Sequence, residues 1–163
     1  MEKETFVASG DSLKTLTHAI TVKGNREAVF SAWTTSKGIQ DFLEVEADID
    51  LRPGGRFELY FAPKDAVPPG KRGSEGCVIL SYLPSQMLSF SWNAPPHFPK
   101  ERALRTWVVV RFREAGEGLV RVTLDHTGFG NDGQWDEVYT YFDNAWQNVL
   151  KALGAHFGTP QVS

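Results

Sequence analysis

The longest regular pattern in the chain lies near its C-terminus, between residues 132 and 157. Apolar residues recur there at steps of three, four and one, from Trp135 to Phe157, and polar residues fill the other positions. This spacing is typical of an amphipathic α-helix. At about 1.5 Å per residue the helix is predicted to be roughly 40 Å long, so its wide aromatic face needs a large surface to cover it.

Most of the chain before this helix alternates between apolar and polar residues, which predicts β-strands. The predicted strands cover residues 15–22, 44–51, 57–61, 75–83, 87–92, 104–113 and 119–126. Two short helices are predicted after the first strand, the first of them capped by Asn25. Proline-rich loops are predicted at residues 62–74 and 93–103. Because short turns join successive strands, we expect α+β architecture: a curved antiparallel sheet of about six to seven strands wrapped around the long helix.

Length, charge and cysteine content narrow the class of protein. The chain has 163 residues and no linker, which predicts a single domain over residues 14–158 after a loose N-terminal arm of residues 1–13. A formal net charge of −3 argues against a general nucleic-acid binder. The sequence contains no signal-peptide pattern and no apolar run of transmembrane length, which predicts no membrane role. The single cysteine, Cys77, fits a reducing compartment, so we expect a cytoplasmic protein.

Four carboxylates alternate along the predicted strand 44–51. Adjacent outward positions on a strand lie about 7 Å apart, so a flat row does not converge on one ion. The four histidines have no short metal-ligand spacing, and one cysteine cannot build a zinc pattern. We therefore expect no metal and no cofactor. The row is either solvated strand charge or a docking surface for a protein partner, and its members are Glu44, Glu46, Asp48 and Asp50.

The predicted inward faces of the sheet and the long helix supply a candidate binding site. A curved sheet and a straight helix enclose a space that either side chains fill or a ligand occupies, and small-molecule sites are usually apolar with a few polar groups. Arg105 and Tyr139 are candidate polar anchors. The predicted ligand-binding residues are Trp33, Phe57, Phe61, Trp92, Val108, Val110, Leu124, His126, Val138, Tyr139, Phe142 and Trp146.

His126 has two interpretations. It ends an inward-facing row just before the chain leaves the sheet for the helix. It either bonds to loop backbone and holds that crossing in place, or it sits at the mouth of a cavity and orients a ligand or moves a proton. No second catalytic group appears at an informative spacing. The sequence thus shows no catalytic constellation and favours binding over catalysis.

Several segments, in order, resemble one known family. They are VFSAWT at 29–34, DLRPGGRF at 50–57, GCV at 76–78, LSFSW at 88–92, VTLDHTGF at 122–129 and Trp135. Together they resemble the activator of heat-shock protein 90 ATPase homologue family, a branch of the START/SRPBCC superfamily, whose fold is called the helix-grip. The resemblance runs from about Leu16 to Leu153.

This resemblance implies a fold and several alternative functions. The helix-grip fold hosts ligand binding, cyclisation, hydrolysis and co-chaperone activity, so fold alone does not select among them. The leading hypothesis is a domain that holds a hydrophobic small molecule. The alternatives are a chaperone-associated interaction module with a role in the stress response, and a cyclase or hydrolase-like enzyme with His126 as acid or base. Exposed strand edges make a homodimer a further partner hypothesis.

Overall fold

The structure, a computed structural model, describes Phe6 and residues 14–161. This part of the chain forms seven β-strands and four helices. The elements are β1 (Leu16–Lys23), α1 (Arg26–Thr34), α2 (Ser36–Leu43), β2 (Glu46–Ile49), β3 (Phe57–Tyr60), β4 (Ile79–Leu83), β5 (Met87–Trp92), α3 (Pro99–Arg102), β6 (Thr106–Glu114), β7 (Leu119–Thr127) and α4 (Trp135–Phe157).

The strands form two antiparallel sheets. Five of them lie in the order β1-β7-β6-β5-β4, while β2 and β3 pair separately. The α+β class and the long helix against an antiparallel sheet are confirmed, but the strands do not form one continuous meander. Between β3 and β4 only isolated bridges remain, Arg56 with Val78 and Tyr60 with Gly73. Gly76, with φ of +85°, turns the backbone out of the extended conformation there.

Helix α4 packs its apolar stripe against the sheet. Trp135, Val138, Phe142, Trp146 and Leu150 are buried on it, as the periodicity predicts. The helix begins at Trp135, three residues later than expected. The first backbone N–H groups of a helix need outside acceptors. The N–H of Gln134, the residue before the helix, donates to the Glu101 carboxylate in α3 at 3.3 Å, so a side chain distant in sequence supplies one acceptor.

Side-chain caps begin both short helices, the first of them at Asn25 as predicted. The Asn25 side chain accepts a hydrogen bond from the Ala28 N–H at 2.8 Å, and Thr35 accepts one from the Gly38 N–H at 2.9 Å. Helix α2 ends at Glu44, which adopts a left-handed conformation with φ of 60°. The strand predicted from residue 44 therefore covers only Glu46–Ile49.

Two further parts of the chain differ from the sequence prediction. The strand expected at residues 75–83 begins at Ile79, because residues 74–78 follow an irregular path. The loop expected at residues 93–103 contains the short helix α3. The predicted arm, residues 1–13, lies outside the described residues except for Phe6, whose ring meets Trp107 edge-on at 5.8 Å, and the domain boundaries stay a prediction. Within the described part of the chain, no helix combines the length and apolarity needed to cross a membrane.

Candidate functional site

Aromatic side chains fill the space between α4 and the sheet. Phe57 of β3 stacks on Phe90 of β5 with ring centroids 4.1 Å apart. Trp92 lies 5.4 Å from Trp146 of α4, and all four side chains are at most 4% exposed. Close packing of this kind leaves few voids as large as a water molecule. The interior that the sequence predicts as a ligand cavity is therefore a packed core at this level.

His126 lies inside this core, where both ring nitrogens have partners. The indole N–H of Trp146 donates to His126 Nδ1 at 3.0 Å. An indole nitrogen can only donate, so Nδ1 must be the unprotonated acceptor and the ring proton is on Nε2. Nε2–H then donates to the Thr106 hydroxyl at 2.7 Å. That hydroxyl donates in turn to the Trp92 carbonyl at 3.3 Å, which completes a chain of three hydrogen bonds linking α4, β7, β6 and β5.

The surroundings of His126 keep its ring neutral. The side chain is fully buried, with Phe129 and Phe142 at centroid distances of 4.5 and 4.9 Å. Burial lowers the pKa of His126 from 6.5 to about 3 because the apolar environment disfavours the charged ring. This geometry supports the structural interpretation, in which His126 fastens helix to sheet. Its partners are two side chains, whereas the sequence predicted loop backbone.

A cleft opens beside this core, where the two proline-rich loops face Tyr141 and Phe142 in the N-terminal half of α4. Its volume is about 350 Å³, within the range of small-molecule sites. The wall is mostly apolar, with a basic edge, and the cleft is open to solvent. The lining residues are Phe61, Ala62, Val67, Lys71, Arg72, Gly73, Trp92, Asn93, Ala94, Pro95, Pro96, Arg102, Tyr141 and Phe142.

Arg102 of α3 joins the two loops that border the cleft. Its guanidinium donates to the carbonyls of Gly70 and Gly73 in one loop, at 2.7 and 2.8 Å, and of Ala94 in the other, at 2.7 Å. Glu75 lies 3.6 Å away as its ion-pair partner. Burial lowers the pKa of Arg102, although an arginine side chain stays protonated in proteins. The charged side chain therefore fixes the distance between the loops and with it the width of the cleft.

Three of the twelve predicted ligand-binding residues line the cleft, namely Phe61, Trp92 and Phe142. The inward position predicted for Phe61 is wrong: β3 ends at Tyr60, and Phe61 is 49% exposed. Tyr139 is half-buried against Phe129 at 5.2 Å, away from the cleft. The remaining predicted residues belong to the packed core, and they are Trp33, Phe57, Val108, Val110, Leu124, His126, Val138 and Trp146.

Sequence reasoning missed most of the loop residues that line the cleft. Arg105, one of the two predicted anchors, does not line the cleft, and its guanidinium donates to the Arg102 carbonyl at 2.9 Å. Lys71, Arg72 and Arg102 take the basic positions instead. The prolines at 95 and 96 were the available signal, because they restrict the loop that carries them and place rigid apolar rings at its surface.

Comparison with known proteins places the chain in a family. The family model described as Activator of Hsp90 ATPase homolog 1-like protein matches residues 23–158. The chain belongs to this family. No curated protein sequence matches it. The matched residues include all six segments, from VFSAWT at 29–34 to Trp135, that carry the resemblance.

Solved structures similar to this family member share its fold. Protein MLL2253 from Mesorhizobium loti has a TM-score of 0.70 at 19% identity, over 91% of this chain and 100% of that one. An HSP90 activator from Plasmodium falciparum has a TM-score of 0.68 at 18% identity, over 90% and 97% of the two chains. The Aha1 dimer from Colwellia psychrerythraea has a TM-score of 0.60 at 13% identity, over 91% and 99%. At these identities the similarity establishes the helix-grip fold alone.

The acidic row differs in this family member from its sequence prediction. Glu44 ends α2 and does not belong to the strand. The other three carboxylates each have an arginine partner: Glu46 with Arg72 at 3.5 Å, Asp48 with Arg56 at 2.8 Å and Asp50 with Arg52 at 2.6 Å. Among the described residues, no group of three potential metal-ligating side chains converges. The hairpin therefore presents paired charges rather than an acidic surface.

Proposed function

We propose that this protein binds a small apolar or aromatic molecule in the cleft between its two proline-rich loops. The observation that supports the proposal most directly is an open cleft of about 350 Å³ with aromatic walls. Pockets of this size and character are the usual form of small-molecule sites.

Exposed aromatic surface at the cleft gives a ligand something to bind. Phe61 and Tyr141 are 49% and 44% exposed, and Phe61 meets the buried Trp92 edge-on with ring centroids 6.4 Å apart. Covering apolar surface stabilises a complex by about 25 cal/mol per Å² before the costs of association. A flat molecule between Phe61 and Tyr141 would cover both rings and continue the aromatic packing of the core.

The cleft supports binding more strongly than catalysis. In the part of the chain that the structure describes, its lining includes no Asp, Glu, His, Ser, Thr or Cys side chain. General acid–base catalysis and covalent catalysis use these groups together with Lys and Tyr. His126 is the acid or base that a cyclase or hydrolase would use, and it lies fully buried with both ring nitrogens bonded. Among the described residues of the lining, the enzymatic alternative has only Lys71 and Tyr141 as candidate reacting groups, and no His or carboxylate lines the cleft to assist them.

Filling the cleft should abolish ligand binding. Ala62 lines it, and Ala66 is an exposed residue of the same loop outside its lining. We expect Ala62→Trp to weaken binding of the neutral fluorescent probe N-phenyl-1-naphthylamine at least about tenfold, because the indole takes the ligand's volume. Fluorescence titration measures the change, and native mass spectrometry shows whether a molecule co-purifies with the wild type.

Ala66→Trp is the matched control, since it adds the same side chain to the same loop and should bind the probe like the wild type. Equal binding by all three proteins would place the probe elsewhere on the surface. The proposed ligand function would be contradicted if the wild type did not bind the probe and its native mass equalled that of the protein alone.

A chaperone-directed interaction is the second candidate function, and family membership is the observation that favours it. The paired charges on β2 give the acidic docking surface little support, because Arg52, Arg56 and Arg72 offset it. We expect an interaction of this kind to raise the ATPase rate of a purified heat-shock protein 90. An unchanged rate at saturating concentrations of this protein would remove the candidate.

Homodimer formation and location are separate proposals. Strands β1 and β4 are the edges of the five-stranded sheet, and Leu83 on β4 is 51% exposed. Edge strands with exposed apolar groups can pair with a second copy, so sedimentation equilibrium at several concentrations tests whether the protein is a monomer or a dimer.

The single, buried Cys77 supports a role in a reducing compartment such as the cytoplasm.

A further inference from the structure

The polar part of the cleft wall has charge of one sign. Three of its lining side chains are cationic, Lys71, Arg72 and Arg102, and in the described residues none is anionic. The chain as a whole has a net charge of −3. The cleft is therefore a basic site on an acidic protein. A local cluster of like charges changes how fast charged ligands associate with a site and how strongly they bind.

The two arginines are already engaged with the protein. Arg102 donates to three loop carbonyls and lies 3.6 Å from Glu75. Arg72 donates to the Ala62 carbonyl at 3.0 Å, lies over the Tyr60 ring at 4.5 Å and reaches Glu46 at 3.5 Å. These contacts hold both side chains in place, and their carboxylate partners are outside the lining of the cleft.

Lys71 differs from the arginines because its charge is not compensated. It is exposed, and no carboxylate among the described residues forms an ion pair with it. It follows Gly70, whose carbonyl Arg102 holds, so its backbone is anchored while its ammonium can move. A flexible ammonium at the edge of an aromatic cleft can reach an anionic group on a ligand whose body lies deeper.

A neighbouring depression extends the basic wall. Its volume is about 360 Å³, and it shares Lys71, Asn93, Pro96 and Arg102 with the cleft. Arg105 and Glu75 line its far side. The boundary between the two spaces thus has Lys71 and Arg102 on it, where a charged ligand head would lie with water on one side and the aromatic wall on the other.

We propose that the cleft selects an amphipathic anion: a flat aromatic body with one carboxylate. The body packs on Phe61, Trp92 and Tyr141, and the carboxylate pairs with Lys71, because Glu46 and Glu75 already offset the charges of Arg72 and Arg102. This inference rests on the proposed binding function and adds the charge of the ligand to it. Neutral and cationic molecules of the same shape are the competitors that the cleft discriminates against.

Three ligands of one shape test the proposal: 2-naphthoate, 2-naphthalenemethanol and 2-naphthylmethylamine, measured by isothermal titration calorimetry. A unit charge pair about 4 Å apart in water changes affinity about fivefold, and more in a partly shielded site. We expect 2-naphthoate to bind about fivefold to tenfold more tightly than the alcohol, and the amine most weakly. About 0.5 M NaCl should reduce that preference, because salt screens exposed charge.

Lys71→Gln should bring the affinities of the acid and the alcohol to within about twofold of each other. Lys64→Gln is the matched control, since Lys64 is exposed on the same loop and does not line the cleft. The Ala62→Trp protein should lose all three ligands, which locates them.

The outcomes separate the two levels of the proposal. If the alcohol binds at the cleft as tightly as the acid, or if Lys71→Gln keeps the preference for the acid, the anion inference is wrong and the cleft remains a binding site for neutral molecules. If Ala62→Trp still binds 2-naphthoate, the anion binds elsewhere and the inference is likewise wrong. If none of the three ligands binds to the wild type, the proposed function fails together with the inference.

Discussion

Replacement of His126 by alanine is expected to lower the free energy of unfolding by about 3–5 kcal/mol. The side chain is fully buried, so its removal leaves a cavity. The indole N–H of Trp146 loses its acceptor and the Thr106 hydroxyl loses its donor. A buried group without a partner costs about 1–3 kcal/mol, and the cavity adds to this. Urea denaturation followed by tryptophan fluorescence measures the change.

Two further variants separate cavity from hydrogen bonding. His126→Phe keeps most of the volume and leaves the Trp146 N–H unpaired, so we expect an intermediate loss of about 2–3 kcal/mol. His156→Ala removes an exposed histidine from the last turn of α4 and should change stability by less than about 0.5 kcal/mol. A loss below about 1 kcal/mol for His126→Ala would contradict the structural role assigned to this residue.

The sequence pattern predicts the parts of the fold that follow from local periodicity. Helix α4 is the clearest case, because its stripe from Trp135 to Leu153 is continuous and every inward position needs a cover. The alternating residues of β6 and β7 are equally clear: Val108, Val110 and Leu124 are all buried, as predicted. One face of each strand must pack against the core, and side chains alternate between the two faces, so the period of two determines which residues are buried.

Local periodicity fails where a strand ends. Phe61 continues the inward rhythm of Phe57 and Leu59 in sequence, but β3 stops at Tyr60. The chain then turns into the loop, and the Ala62 N–H bonds to the Arg72 carbonyl at 2.9 Å. The alternation of apolar and polar residues does not predict where β3 ends, because that end depends on a hydrogen-bond partner ten residues away in sequence. Glu44 shows the same effect at the end of α2.

The candidate site could be predicted only in part. Trp92 and Phe142 lie on regular elements, so their inward positions follow from the sequence pattern. The cleft itself depends on how two loops are held apart by Arg102, whose acceptors in one of them are Gly70 and Gly73, about thirty residues earlier in the chain. Every residue has a backbone carbonyl, so the sequence does not show which carbonyls accept these hydrogen bonds. The sequence pattern therefore does not predict the hydrogen bonds by which Arg102 joins the two loops, although they set the width of the cleft.

Acid should destabilise this protein through His126. In the unfolded chain a histidine takes up a proton below pH 6.5, whereas the folded pKa of His126 is about 3. The unfolded state therefore binds more protons between these values, and the free energy of unfolding falls as the pH is lowered. The stabilisation is complete above pH 6.5 and is lost towards pH 3, with a slope approaching about 1.4 kcal/mol per pH unit from this one residue.

The contribution is best measured between pH 6.5 and 5, where carboxylates titrate least. Over this interval the wild type should lose about 1.5–2 kcal/mol more than His126→Phe, which has no imidazole to protonate. His156→Ala should keep the wild-type slope, because it leaves the buried network intact. Equal slopes for the wild type and His126→Phe would mean that folded His126 accepts a proton in this range. Because Trp146 can only donate to Nδ1, that proton would require the hydrogen bond between helix and sheet to break.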